Sequence, residues 1–191
     1  ERWSGITSPE HYRRTDWFFC ACCPPNLARL VANIGEYFYV TSADTLFVNL
    51  YNQNSANLQL GSTAVQVSQQ TNYPWDGDVQ LQVKPAQATQ FTVALRIPEW
   101  CHDFSVSVNG QAADAQIVDG YLRIAREWAD GDEVSLRLSM PVERVVANPH
   151  IRQDAGNIAL QRGPVIYCLE AADNGAELAN VTLPPSSGLK A

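Results

Sequence analysis

Much of the chain alternates apolar and polar residues with a period of two, the pattern of β-strands that bury one face. The clearest examples are Val79, Leu81 and Val83, and Val134, Leu136 and Leu138. Short runs of strand-forming residues recur at 46–51, 57–60, 63–69, 78–84, 90–97, 104–108, 121–126, 132–139, 142–147, 157–161 and 164–170. Several are separated by the turn dipeptides Asp76-Gly77, Asn109-Gly110, Asp119-Gly120 and Asp130-Gly131. Many short strands at regular spacing predict an all-β fold, an antiparallel β-sandwich or jelly roll.

One helical pattern precedes the strands. Apolar residues recur at intervals of three and four at Leu27, Leu30, Val31, Ile34 and Phe38. This spacing predicts a helix over 25–40, with prolines at its entry and first turn, where a missing N–H costs little. No second amphipathic helix lies between the strands, which disfavours a parallel α/β fold.

Composition and charge narrow the classes of function. The 191 residues are 46% hydrophobic and 17% charged, as in a soluble globular protein. The net charge is −7 and the 13 Lys and Arg residues are scattered, so we expect no nucleic-acid partner. No apolar run approaches the roughly 18 residues of a membrane span, so we expect no membrane partner. Self-association into a homo-oligomer is compatible with the sequence. The chain starts at Glu1 and its one methionine is Met140, so we expect an upstream portion.

The cysteines are unevenly distributed. They stand at positions 20, 22, 23, 101 and 168, an odd number with three inside four residues. This is a poor disulfide framework, and adjacent cysteines rarely bond to each other. We therefore expect reduced thiols and a cytoplasmic location.

The cysteine cluster is the strongest candidate for chemistry. Cys22 and Cys23 precede the predicted helix, whose positive end favours an anion. Two adjacent thiolates could share a zinc ion, which binds sulfur at about 2.3 Å and normally takes four ligands. Cys20 and His11 are the further candidates in this segment, so a complete site is not expected from it alone. A single cysteine more often fills space, and we expect that role for Cys101 and Cys168.

Longer motifs resemble those of one known family in the same order along the chain. They are residues 17–30 (WFFCACCPPNLARL), 46–51 (LFVNLY), 72–77 (NYPWDG), 95–101 (LRIPEWC), 108–110 (VNG), 120–122 (GYL), 127–132 (EWADGD) and 160–168 (LQRGPVIYC). Together they closely resemble the β-L-arabinofuranosidases of glycoside hydrolase family 127.

The resemblance implies an (α/α)6 barrel joined to β-sandwich domains. Residues 1–41 would end the barrel and contribute its last helix, and 42–147 would form a sandwich. Residues 148–191 would add further strands, as the start of or return to a second β-domain, and a frayed tail. It also implies a retaining glycosidase with a zinc cofactor and an arabinofuranoside-like carbohydrate substrate. Cys22 would be the catalytic nucleophile, and Cys22 and Cys23 would both bind the zinc. The family's remaining ligands, a glutamate and a cysteine, and its glutamate acid/base have no matching motif here, so the isolated chain is expected to be inactive.

Two other classes of function remain as alternatives. A non-catalytic carbohydrate-binding or structural module would use Tyr73, Trp75, Trp100 and Trp128 as a sugar-stacking platform, although packing is the more common role of tryptophan. A thiol-based metal or redox protein has only the cysteines in its favour. The isolated residues His102 and His150 are expected to be surface or hydrogen-bonding groups.

Overall fold

The computed structural model describes residues 22–175 and 177–190, and the chain divides into two compact units, Glu1–Tyr37 and Phe38–Ala191. In the first unit, the described residues form helix α1 (Cys23–Asn33) and a 3₁₀ turn (Ile34–Tyr37). In the second, they form strands β1 (Tyr39–Thr41), β2 (Thr45–Val48), β3 (Asn54–Leu60), β4 (Thr63–Thr71), β5 (Asp78–Pro85), β6 (Thr89–Arg96), β7 (Phe104–Val108), β8 (Gln111–Ala112), β9 (Gln116–Val118), β10 (Tyr121–Trp128), β11 (Asp132–Leu138), β12 (Val142–Val146), β13 (Ile158–Arg162) and β14 (Val165–Tyr167). Short helical turns lie at Arg152–Asp154, Ala171–Asn174 (α2) and Leu178–Asn180. None of the helices in these described ranges is long and apolar enough to cross a membrane.

The helix is shorter than the sequence predicts. It ends at Asn33 instead of reaching residue 40, and Gly35 lies in the 3₁₀ turn that follows. Glycine weakens a helix, and the β-forming residues of β1 pair with β2 instead of extending the helix. Phe38, which the spacing assigned to the helix, is therefore a core residue of the second unit.

The strands form three sheets. Strand order is β1-β2-β6-β10-β9 in the first sheet, β3-β4-β5-β11-β7-β8 in the second and β12-β13-β14 in the third. Neighbouring strands are antiparallel except for β2 and β6, which run parallel. The expected antiparallel β-sandwich is confirmed, with this one parallel pair as a departure from it.

Alternate residues of the strands face a shared core. In β5, Val79, Leu81 and Val83 are at most 2% exposed, and β11 shows the same pattern opposite them. Leu81 pairs with Val134 in the register, so the two strands present one continuous apolar face. Trp128 is fully buried and donates a hydrogen bond from its indole to the Phe91 carbonyl at 3.0 Å.

Two hairpins confirm the predicted turn chemistry. Asn109 and Gly110 join β7 to β8 with φ values of 52° and 75°, and Asp119 and Gly120 join β9 to β10 with 51° and 79°. Two successive positive φ angles define the type I′ turn, which Asn-Gly and Asp-Gly adopt at low cost.

The connections gather at two ends of the sandwich. One end carries the segments 49–53, 72–77, 97–103 and 119–120, next to the start of β1. The opposite end carries the short turns at 61–62, 86–88, 109–110 and 129–131.

Candidate functional site at the start of the helix

Cys22 and Cys23 lie at the N-terminus of α1, as the sequence predicts. Cys22 is the residue before the helix, and its carbonyl accepts a hydrogen bond from the Asn26 N–H at 3.1 Å. Pro24 and Pro25 occupy the first turn, where an N–H would have no partner inside the helix. Both cysteines are exposed to solvent.

The distance between the two sulfur atoms fits a shared metal ion. The Sγ atoms of Cys22 and Cys23 are 3.9 Å apart, far beyond the roughly 2.05 Å of a disulfide. Two thiolates bound tetrahedrally to one zinc at about 2.3 Å would lie about 3.8 Å apart. The pair can therefore supply two of four zinc ligands with little movement.

The other ligands are not found in the part of the chain that the structure describes. Across residues 22–175 and 177–190, no three His, Cys, Asp or Glu side chains come together to hold a metal ion. The two further candidates from the sequence, His11 and Cys20, lie outside the described residues. The described site is therefore a pair of thiols at a helix start.

The other two cysteines have different surroundings. Cys101 is buried, and its thiol donates a hydrogen bond to the Asp103 carbonyl at 3.2 Å. Burial raises the pKa of Cys101, which keeps it a neutral thiol. Cys168 is exposed in the second unit.

One of the four residues of the sugar-stacking platform, the alternative drawn from the sequence, cannot contact a ligand. Trp128 cannot stack on a ligand because it is fully buried beneath Phe91, with which its ring packs at 5.9 Å. Trp100 and Tyr73 are half-buried, whereas Trp75 is 62% exposed. Alternation in β10 could have indicated the burial of Trp128, since Leu122 and Ile124 share its face.

Other polar residues near these aromatic side chains were not singled out from the sequence. The Tyr121 hydroxyl donates to the Asn49 side chain at 2.8 Å, and the Tyr51 hydroxyl donates to the Arg96 carbonyl at 2.6 Å. The partners of these two hydrogen bonds are 72 and 45 positions apart in sequence, so no local pattern predicts that they meet.

The chain thus combines a helix that starts with two adjacent thiols, a β-sandwich and a further sheet. Residues 45–140 match the family described as "Beta-L-arabinofuranosidase, GH127 middle domain", and residues 142–191 match the "Glycoside hydrolase family 127 C-terminal domain". The chain belongs to glycoside hydrolase family 127.

Similar proteins are named for one activity. A non-reducing end β-L-arabinofuranosidase of Bifidobacterium longum subsp. longum is 40% identical over 187 residues, covering 94% of this chain and 28% of that protein. The crystal structure of a family 127 β-L-arabinofuranosidase from Geobacillus stearothermophilus T6 has a TM-score of 0.87 and 51% identity, covering 93% of this chain and 28% of that one. A second structure, a family 127 β-arabinofuranosidase, has a TM-score of 0.79 and 38% identity, covering 85% of this chain and 28% of that one. The chain thus spans about 28% of the length of these relatives.

Proposed function

We propose that this chain is part of a retaining glycoside hydrolase that cleaves β-L-arabinofuranosides, with Cys22 as the nucleophile. The observation that carries the proposal is the pair of exposed sulfur atoms, 3.9 Å apart at a helix N-terminus, in a chain of family 127. The family's named activity supplies the substrate class.

Cys22 and Cys23 would together hold zinc. When bound, zinc supplies the positive charge that keeps both sulfurs deprotonated near neutral pH. A thiolate is the reactive form of cysteine, so no separate base is needed to activate Cys22.

The chemistry then follows the two-step scheme of retaining glycosidases. The Cys22 sulfur attacks the anomeric carbon, the glycosidic C–O bond breaks, and a carboxylic acid protonates the departing oxygen. In the second step water attacks the same carbon, gives its proton to the carboxylate, and releases Cys22 as a thiolate. The configuration is retained because each step inverts the carbon once.

We expect the carboxylic acid and the remaining zinc ligands to come from the rest of the whole protein, since this chain covers 28% of the length of its relatives. The motifs that carry the family's glutamate and cysteine ligands and its glutamate acid/base have no match in this sequence. We therefore expect the isolated 191-residue chain to hydrolyse no glycoside, although it carries the nucleophile.

The proposal is tested on the protein that carries this chain, with a 4-nitrophenyl β-L-arabinofuranoside as substrate. Cys22→Ala should lower kcat/KM by at least about a thousandfold, as loss of a nucleophile does in other enzymes. Cys23→Ser should lower both the zinc content and the rate, because one sulfur ligand is removed.

Cys168→Ala is the matched control, since it removes an exposed thiol from the second unit. It should leave both activity and zinc content unchanged. Full turnover by Cys22→Ala would remove the nucleophile assignment, and unchanged zinc in Cys23→Ser would remove the metal assignment.

A further inference from the structure

The two ends of the sandwich differ in composition. The end formed by residues 49–53, 72–77, 97–103 and 119–120 carries Tyr51, Tyr73, Trp75 and Trp100, and Tyr121 follows it as the first residue of β10. The turns of the opposite end, at 61–62, 86–88, 109–110 and 129–131, carry no aromatic residue, and Trp128, which precedes the last of them, is fully buried. Tyrosine and tryptophan are enriched at binding surfaces because they combine an apolar ring with a polar group. We call the first end the aromatic end.

The rings of the aromatic end are held in place by contacts across the sandwich. Tyr51 and Tyr73 pack edge to face with their centroids 5.9 Å apart. Trp100 packs against the core of the sandwich, and Tyr121 packs edge to face on Phe47 with the ring centroids 5.3 Å apart. Tyr51 is 6% exposed and belongs to the core, so it holds the half-buried Tyr73 ring, which would lose little conformational freedom on binding a ligand.

Trp75 stands on a tightly held backbone. Its N–H donates to the Asn72 carbonyl at 2.9 Å, and its carbonyl accepts a hydrogen bond from the Arg162 guanidinium at 2.5 Å. Two residues later, the Gly77 carbonyl accepts a hydrogen bond from the Leu138 N–H at 2.9 Å. The Trp75 ring itself is 62% exposed. The Trp75 ring is therefore open to solvent on a backbone that hydrogen bonds hold in place.

The polar groups of the aromatic end disfavour an anionic ligand and offer hydrogen bonds to hydroxyl groups. Arg96 is exposed and lies within salt-bridge distance of no carboxylate among residues 22–175 and 177–190, so its guanidinium can donate hydrogen bonds. The exposed carboxylates of Glu99 and Asp103 and the half-buried one of Asp76 lie in the same segments and would repel an anion. A sugar ring places apolar C–H faces on aromatic rings and its hydroxyls on such donors and acceptors.

We propose that the aromatic end binds a neutral saccharide, with Trp75 as the stacking ring and Arg96 and Asn49 as hydrogen-bonding groups. The choice of an arabinofuranoside as the first sugar to test rests on the proposed function. The surface itself rests on the contacts described above.

The test is a titration of the ¹⁵N-labelled 191-residue chain with methyl β-L-arabinofuranoside and with a β-linked arabinofuranosyl disaccharide. Saturable shifts are expected at the Trp75 indole N–H and at the amides of residues 72–77, 96–101 and 120–122. Trp75→Ala should weaken binding about tenfold, which is the loss expected for one stacked ring. Trp75→Phe should retain most of it, because phenylalanine keeps a ring at this position.

Tyr167→Ala is the matched control, because Tyr167 is a 51% exposed aromatic residue on β14, outside the aromatic end. It should not change the affinity. Shifts that do not saturate, or equal affinity in Trp75→Ala, would overturn the proposal. A concentration-dependent dimer that Trp75→Ala abolishes would also overturn it, since a second copy would then be the occupant.

The titration and the hydrolysis assay fail independently. Saturable binding at the aromatic end together with full turnover by Cys22→Ala would contradict only the proposed function. Hydrolysis that depends on Cys22, with no saturable binding, would contradict only the saccharide surface.

Discussion

At the scale of single residues, Asp132 shows how a buried charge is satisfied in this fold. Its carboxylate accepts hydrogen bonds from the Asn109 side chain at 2.7 Å and from the Ala129 N–H at 2.9 Å, and the Arg126 guanidinium lies 3.7 Å away. Asn109 in turn accepts a hydrogen bond from the Glu133 N–H. Burial alone would raise the pKa of Asp132, but these three groups together hold it below its usual value. One side chain thereby ties the turn after β7 to the turn before β11.

This network predicts a pH-dependent stability. Because the pKa is lower in the folded chain, the contribution of Asp132 is complete above the unfolded value of about 3.9 and is lost as the pH falls through the folded value. Asp132→Asn should therefore lower the free energy of unfolding by about 1–3 kcal/mol at pH 7 and by less at pH 3. Urea unfolding of both proteins at the two pH values measures the difference.

Asp130→Asn is the control, because Asp130 is an exposed carboxylate in the same turn. It should change stability little at either pH. If Asp132→Asn lowered the free energy of unfolding equally at pH 7 and pH 3, the charge of Asp132 would not contribute to stability.

At the scale of elements, the sequence predicts most strands but not how they pair. Alternation identifies β5 and β11 because each buries every second residue. The short strands β1, β8 and β9 escape such reasoning, since two or three residues show no period. The parallel pairing of β2 and β6 depends on contacts between residues 47 positions apart, such as Leu46 with Val93, which no local pattern encodes.

The site is predictable to the same limited extent. Cys22 and Cys23 are adjacent in sequence, so their shared position at the start of a helix follows from the local pattern. Trp128 was a candidate for sugar stacking, yet tertiary packing places it in the core. Arg96, close to Tyr51 and Tyr73 in space, has no local signal that would reveal its neighbours.

One element contact requires a glycine. A Cβ atom on Gly77 would lie 1.9 Å from the Leu138 carbonyl oxygen, where β5 and β11 approach each other. Gly77→Ala should therefore destabilise the sandwich by about 2 kcal/mol or more, because backbone would have to move. Thermal unfolding measures this loss.

Gly35→Ala is the matched control, since a Cβ there meets nothing within 4 Å. Its stability should be unchanged or slightly higher, because alanine restricts the unfolded chain. A Gly77→Ala protein as stable as Gly35→Ala would contradict the close approach of the two strands.

At the scale of the whole molecule, the chain combines a short described helical segment with a large β unit. The helical segment carries the candidate nucleophile, and the β unit carries the aromatic end. Residues 45–140 and 142–191 match two successive domains of family 127, so the β unit accounts for most of the family match. In relatives this stretch is about 28% of the protein. Hydrolysis is therefore proposed for the whole protein, and saccharide binding for the chain itself.

The helical segment also has an apolar stripe. Leu27, Leu30 and Val31 are each more than half exposed, although their spacing is that of a helix that buries one face. Exposed apolar side chains in a row are costly in water. The short helical segment therefore carries two unusual features, an exposed apolar stripe and a pair of adjacent thiols.

The most direct measurement of the central claim is mass spectrometry of the protein that carries this chain. The protein is first allowed to react with a fluorinated arabinofuranoside that it turns over slowly, and the reaction is quenched before the analysis. We predict one fluorinated pentosyl group on the peptide that contains Cys22, attached through its sulfur, and no such group in Cys22→Ala. A pentosyl group on an aspartate or glutamate, or turnover of the ordinary substrate with inversion at the anomeric carbon, would contradict the assignment of Cys22 as the nucleophile.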